Sequence, residues 1–165
     1  MAVFSNKRIL LGVTGSIAAY KAADLASKLT QAGALVDVIL TEAAQKFVTP
    51  LTFQSVTGRR AHTDSDLWGN EAHVLHVGLG HTANLLMIAP CTANTIAKLA
   101  YGQADTLLTV TALAATCPLL LAPAMDGGMY DHPATQENLD TLRKRGAHII
   151  EPADGRLASG LAGTG

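Results

Sequence analysis

The sequence predicts an α/β domain built on a parallel sheet with helices on both faces. Three observations carry this expectation. Short apolar runs alternate with helix-like segments along the chain. The runs are continuous rather than alternating, as expected for strands covered on both faces. The interior material is aliphatic, since 48% of the residues are hydrophobic but only 4% aromatic, which suits a close-packed core of Ala, Leu, Val and Ile. With 165 residues and no obvious linker, residues 1–165 read as a single domain.

The first strand is Arg8–Val13, which runs through "ILLGV" into Thr14-Gly15-Ser16. Beyond that turn Ala18, Ala22, Leu25, Leu29 and Ala32 recur at helical spacing, and Gly33 stands where helices commonly close with a left-handed residue, so a crossover helix is expected. The second strand is Leu35–Leu40. From Arg59 to Gly80 the chain is polar and reads as a loop with a short strand. Asn84–Ala89 is the third strand, followed by a helix from near Thr92 to Gly102. The segment Asp105–Thr116 is apolar almost all round, which predicts a buried helix, packed against another subunit. After a strand at Pro118–Ala122, Pro133 suits the first position of a helix that ends in Arg143-Lys144-Arg145 before Gly146. Ala147–Ile150 is the last strand. The closing "DGRLASGLAGTG" is rich in glycine with no element to end it, and reads as a flexible flap leading on into a longer protein.

Composition narrows the function. The net charge is −1 and no basic run exceeds three residues, which argues against nucleic acid and for small-molecule ligands. No stretch is long and apolar enough to span a membrane or lead secretion, so a cytoplasmic protein is expected. Cys91 and Cys117 show neither a pairing pattern nor metal spacing and read as reduced core thiols. His73, His76 and His81 lie close together without a carboxylate or Cys at ligand spacing, so no metal is expected. An acid–base role for one of them is the better reading, and spacing does not choose which.

In open α/β sheets ligands lie outside the carboxyl ends of the strands. The residues there are Thr14, Gly15 and Ser16, then Thr41, then Pro90, Thr92 and Asn94, then Pro123-Ala124-Met125-Asp126. All are small or hydrogen-bonding. The first turn fits an anion site of backbone N–H groups and hydroxyls. A plain helix cap by Ser16 fits it equally, since the turn is neither G-x-G-x-x-G nor a Walker loop.

Taken together, "GVTGSIAAYK", "TEAAQKFVTPLTFQSVTG", "HVGLG", "APCTANTIAKLAYGQADTLL", "APAMDGGMYDHPATQENL" and "GRLASGLAGTG" resemble the FMN-dependent cysteine decarboxylases over essentially the whole chain. Within that family the likeness is to the members that act on 4'-phosphopantothenoylcysteine in coenzyme A biosynthesis. The resemblance implies a flavodoxin-like three-layer Rossmann-type fold, assembly as a homotrimer or trimer-based oligomer with flavin at the subunit interface, and often a fused phosphopantothenate–cysteine ligase. It implies FMN bound by Gly15, Ser16, Ile17, Thr92, Ala93, Asn94 and Thr95, with Thr41 and Phe53 near it. His76, heading "HVGLG", matches the catalytic histidine, and Ala124, Met125 and Asp126 match the substrate motif. The implied reaction oxidises the thiol-bearing carbon to a thioaldehyde, releases the carboxylate as carbon dioxide, and returns the electrons to the enethiolate.

Two positions depart from the family pattern. Its Pro-x-Met-Asn motif ends here in Asp126. An amide offers two donors and an ionised carboxylate none, while two like charges ~4 Å apart cost about 4 kcal/mol at an effective dielectric of ~20. Asp126 is therefore expected either to carry a proton in the complex or to turn toward substrate amide or hydroxyl groups, leaving the N–H groups of Gly127 and Gly128 for the substrate carboxylate. In the flap, Ser159 stands where the family often has a proton-donating Cys, and a hydroxyl is a far weaker acid than a thiol of pKa ~8.5. The final reduction is expected to be slow or to draw its proton elsewhere. Release of an enethiol, as from a peptide-cysteine decarboxylase, is the alternative, with a non-catalytic FMN-binding regulator as a third.

Overall fold

A computed structural model describes residues 3–68, 72–156 and 162–164. Six parallel strands form the sheet: β1 (Arg8–Val13), β2 (Leu35–Leu40), β3 (Ala61–Thr63), β4 (Leu85–Cys91), β5 (Leu119–Pro123) and β6 (His148–Ile149), in the order β3-β2-β1-β4-β5-β6. A separate antiparallel pair joins β7 (Asp154–Arg156) to β8 (Ala162–Thr164). The helices are α1 (Ala19–Gln31), α2 (Pro50–Thr57), α3 (Ala72–Thr82), α4 (Ala93–Tyr101), α5 (Leu107–Ala114), α6 (Gly127–Tyr130) and α7 (Pro133–Lys144). Leaving out the short edge strand β3, the order is the flavodoxin-like one. The chain builds outward from β1, then returns to place β4 on its other side, so the strand order reverses between β1 and β4. A crevice forms at such a point because the following helices leave on opposite faces.

The strand side chains sort by pleat into two cores. Ile9, Leu11 and Val13 of β1 and Val36, Val38 and Leu40 of β2 pack against Ala19, Ala22, Ala26 and Leu29 of α1 and Phe53 of α2. On the other face Leu10, Ile39, Leu86, Ile88 and Leu121 meet Leu79 of α3, Ile96 of α4, Leu107 and Leu108 of α5, and Leu139 and Leu142 of α7. These are the three layers expected from the sequence. Coverage is uneven, however: α1 and α2 lie over β1 and β2, and Met87, Ala89, Leu120 and Ala122 on that same side of β4 and β5 stay only half-buried. At the other edge, Arg59 pairs at 2.7 Å with the buried carboxylate of Asp37 on β2, pinning the entry to β3.

The stretch from Arg59 to Gly80, read as a loop with a short strand, contains β3, a 3₁₀ turn at Asp64–Trp68 and most of α3. Two glycines, Gly78 and Gly80, dilute the pattern of α3 in the sequence. Gly80 is there for packing, because a Cβ would stand 3.1 Å from Thr111 O and Ala115 N of the neighbouring α5 segment. Helix α5 is shorter than Asp105–Thr116. It begins after a reciprocal Thr106–Thr109 capping box, and Leu113 near its end is exposed.

Candidate functional site

A cavity of about 1030 Å³ opens at the carboxyl ends of β1, β2, β4 and β5, at the upper edge of the ~300–1,000 Å³ usual for ligand sites. One buried hydroxyl organises its floor. Thr14 Oγ1 donates to Pro90 O at 2.7 Å and accepts from Thr92 N at 3.0 Å, joining the turn after β1 to the end of β4, 76 residues away, and to the turn beyond it, 78 residues away. Thr41 N donates to Val13 O at 3.1 Å, which brings in the turn after β2. Gly15 permits that approach: a Cβ there would lie 2.4 Å from Ala43 Cβ. Its role is close contact between loops, and its φ is unremarkable.

Four helices begin at this cavity, and their ends differ chemically. At α1 and α4 no carboxylate closes the helix end. Helix α1 has no side-chain cap, Ser16 Oγ accepting from Ala18 N at 3.3 Å in the turn before it, and at α4 Thr92 Oγ1 accepts from Thr95 N at 3.4 Å. The first bond within α4 runs from Ile96 N to Thr92 O, so the N–H groups of Ala93 and Asn94 point out of the helix end without helical acceptors. At α5 and α6 the chain supplies its own anions. Asp64 Oδ1 accepts from Leu107 N at 2.8 Å, and Asp126 Oδ1 accepts from Gly128 N at 2.9 Å. A phosphate is therefore favoured beside α1 and α4, where helix-end charge is uncompensated, and repelled from the carboxylate side. Lys21, Lys46 and Lys98 line the same cavity. Lys98 Nζ lies 2.7 Å from Asp105 Oδ2, and this bond holds the Asp105 carboxyl below the usual carboxylate range.

Gly15, Ser16, Ile17, Thr41, Thr92, Ala93, Asn94, Thr95, Ala124, Met125 and Asp126 all border this space. Two other expected site residues do not. Phe53 is wholly buried in the core beneath α1. His76 lies on α3, and its buried Nδ1 has no partner among the described residues. Ser159 lies outside the described residues. The expectation that Gly128 N–H would be left for a substrate carboxylate does not hold here, because Asp126 takes it. Among the described residues no cluster of three or more His, Cys, Asp or Glu could hold a metal, and no helix is long and apolar enough to cross a membrane.

Sequence reasoning missed the lysines, although one carried a signal: Lys98 follows Asn94 by four residues on α4, a spacing that stacks side chains on one helix face. Asp64 came from the unassigned stretch, and nothing local connects it to Leu107, 43 residues on.

A family model described as Flavoprotein matches residues 3–165. The chain belongs to the Flavoprotein family. Curated relatives in that family include the coenzyme A biosynthesis bifunctional protein CoaBC of Bacillus subtilis, 48% identical over 163 residues, and that of Mycolicibacterium smegmatis, 47% identical over 161. These matches take in 99% and 98% of this chain but 40% and 38% of the relatives. The chain thus spans about two fifths of their length. Among solved structures, a PPC decarboxylase mutant complexed with pantothenoylaminoethenethiol superposes with a TM-score of 0.87 at 35% identity, covering 97% of this chain and 90% of that one. The FMN-dependent cysteine decarboxylase SpaF gives 0.85 at 37% identity, covering 99% and 91%.

Proposed function

We propose that this domain decarboxylates 4'-phosphopantothenoylcysteine to 4'-phosphopantetheine with FMN as cofactor, as a step of coenzyme A biosynthesis. The observation that carries the reading is the division of the cavity into a neutral, N–H-rich wall at α1 and α4 and a carboxylate-capped wall at the Ala124–Asp126 turn. The names of the relatives and of the solved neighbours point the same way. The donor set fits FMN. Gly15, Ser16 and Ile17 with the first turn of α4, Ala93 to Thr95, would hold its phosphate, and Thr41 would lie along its chain. When bound, FMN supplies reversible two-electron oxidation at the substrate's thiol-bearing carbon.

The protein's own residues then have distinct tasks. Ala124 and Met125 orient the substrate, and Asp126, committed to Gly128 N–H, presents its other oxygen to substrate amide or hydroxyl groups. Lys21 and Lys46 offset the charge of two phosphate-bearing ligands, while Lys98 is engaged by Asp105. His76 supplies acid–base catalysis. Since it stands away from the cavity of its own chain, it serves that of a neighbouring protomer in a homotrimer, an assembly that would also cover Met87, Ala89, Leu120 and Ala122. The same reading carries a cytoplasmic location and, as in the bifunctional relatives, a fused ligase. One residue favours a second reading: with Ser159 in place of the family Cys, the enethiol could be the released product.

Purified holoprotein incubated with 4'-phosphopantothenoylcysteine tests both readings by product mass. Loss of carbon dioxide alone supports the decarboxylase that completes its cycle, and loss of carbon dioxide plus two hydrogens supports the second. His76→Asn is expected to keep FMN and to abolish carbon dioxide release. Asp126→Asn is expected to change substrate affinity and its pH dependence. No reaction by the wild type would overturn the proposal.

A further inference from the structure

Helix α6 has four residues, too few to hold a shape alone. Yet Met125 and Asp126 before it and Met129 within it border the cavity. What fixes them lies at the other end. The Tyr130 ring is buried with Leu139 and Leu142, and its carbonyl accepts from Gln136 Nε2 at 2.7 Å. Its hydroxyl donates to Glu151 Oε2. Glu151 Oε1 accepts from Arg143 Nη2 at 2.7 Å, and Arg143 Nη1 donates to Asp140 at 2.9 Å. Helix α6, helix α7 and the segment after β6 therefore meet at one carboxylate.

The fold does not need this junction. The strand end is already fixed by Ile150 N donating to Leu121 O at 2.8 Å, and α7 has its own cap at His132. The Glu151 side chain is 60% exposed, so the ion pair with Arg143 adds little to global stability. What the junction does determine is the position of the Tyr130 hydroxyl, and with it the register of α6.

We propose that Glu151 is a positioning residue for the substrate turn: through the Tyr130 hydroxyl it sets where α6 presents Met125 and Asp126 to the cavity. This rests on the decarboxylase reading above. The test compares wild type, Glu151→Ala, Tyr130→Phe and the double variant as FMN-loaded proteins. Phenylalanine keeps the buried ring, and Glu151 is exposed, so both variants fold. Each single change is expected to raise KM for 4'-phosphopantothenoylcysteine about five- to tenfold, as for loss of one net hydrogen bond or slightly more. The double variant should rise no further, because both remove the same bond. The value of kcat and FMN affinity should stay near wild type, and Tm should fall by no more than the ~2–4 °C of one lost hydrogen bond. An unchanged KM, additive effects, or a raised KM accompanied by weakened FMN binding and a larger fall in Tm would overturn the positioning role while leaving the decarboxylase reading intact. Wild-type holoprotein that releases no carbon dioxide would overturn the reading itself, and the positioning role with it.

Discussion

Replacing Thr14 by valine removes one hydroxyl from the floor of the cavity and nothing else of comparable size. Thr14 is 1% exposed, and its hydroxyl both donates to Pro90 O and accepts from Thr92 N. Pro90 O keeps a second donor, Thr14 N at 3.3 Å, so one orphan results, the Thr92 N–H at the start of α4. This donor is only part-buried at the cavity floor, so leaving it unpartnered costs about 1 kcal/mol, the low end for such a donor, and at ~2–4 °C per kcal/mol for a chain of this size Tm should fall by about 2–4 °C. The perturbation is also local. Because Thr92 caps α4, its displacement moves the N–H groups of Ala93 and Asn94, and FMN affinity should drop by about tenfold or more, the equivalent of ~1.4 kcal/mol. Thr14→Ser is the control: it keeps both bonds and loses one methyl, about 1 kcal/mol. Thermal unfolding without added flavin, and FMN titration followed by quenching of flavin fluorescence, read the two effects separately. If Thr14→Val melts and binds FMN as Thr14→Ser does, the hydroxyl does not organise the site.

Gly15→Ala should also lose FMN, since its Cβ would stand 2.4 Å from Ala43 Cβ and 3.2 Å from the Ala43 carbonyl carbon, forcing two turns apart at about 1–3 kcal/mol. Gly58→Ala, at φ +66° in open space, should cost roughly 1 kcal/mol in strain and leave flavin binding alone, so equal flavin loss in both variants would count against the close-contact argument. Burial holds the His62 imidazole below its usual value of 6.5, so the unfolded chain binds more protons near that pH, and stability contributed by neutral His62 is lost as pH falls below about 6.5. Urea unfolding between pH 5 and 7 should show a shallower decline in His62→Gln, and identical slopes would refute the assignment. A disulfide-exchange reagent should label Cys117 before Cys91 in the native protein, because burial raises both thiols but Cys91 is fully enclosed and raised far more. Ser159→Cys should speed formation of the saturated product while leaving carbon dioxide release unchanged, and equal product rates would remove any role for a thiol donor.

Strands β1, β2, β4 and β5 were legible because each is a nearly unbroken apolar run, interrupted after its first residue only by Asp37 in β2, a property each segment carries by itself. Helices α1, α4 and α7 were legible from spacing and from Gly33, Gly102 and Pro133, whose backbone preferences are local. Helix α3 was not, because Gly78 and Gly80 dilute its pattern and Gly80 answers to a neighbour rather than to its own helix. The turn residues from Gly15 to Asp126 could be named in advance because parallel strands put all their carboxyl ends on one edge, whatever the strand order.

By itself, then, the sequence determined the layered parallel architecture, the edge where a ligand lies, and the neutral, hydroxyl-rich character of the turns after β1, β2 and β4. Tertiary structure alone decided which helix ends remain open to an anion. Asp64 closes α5 from 43 residues away, and Thr14 ties the start of α4 to the end of β1 across 78 residues, whereas the Asp126 cap on Gly128 is a local contact two residues long. It also set Phe53 and His76 apart from the cavity and brought Lys21, Lys46 and Lys98 to it. The reason is range. Apolar periodicity reports what one segment needs from solvent, whereas the free or occupied state of an N–H group depends on a partner that only the folded chain brings within 3 Å.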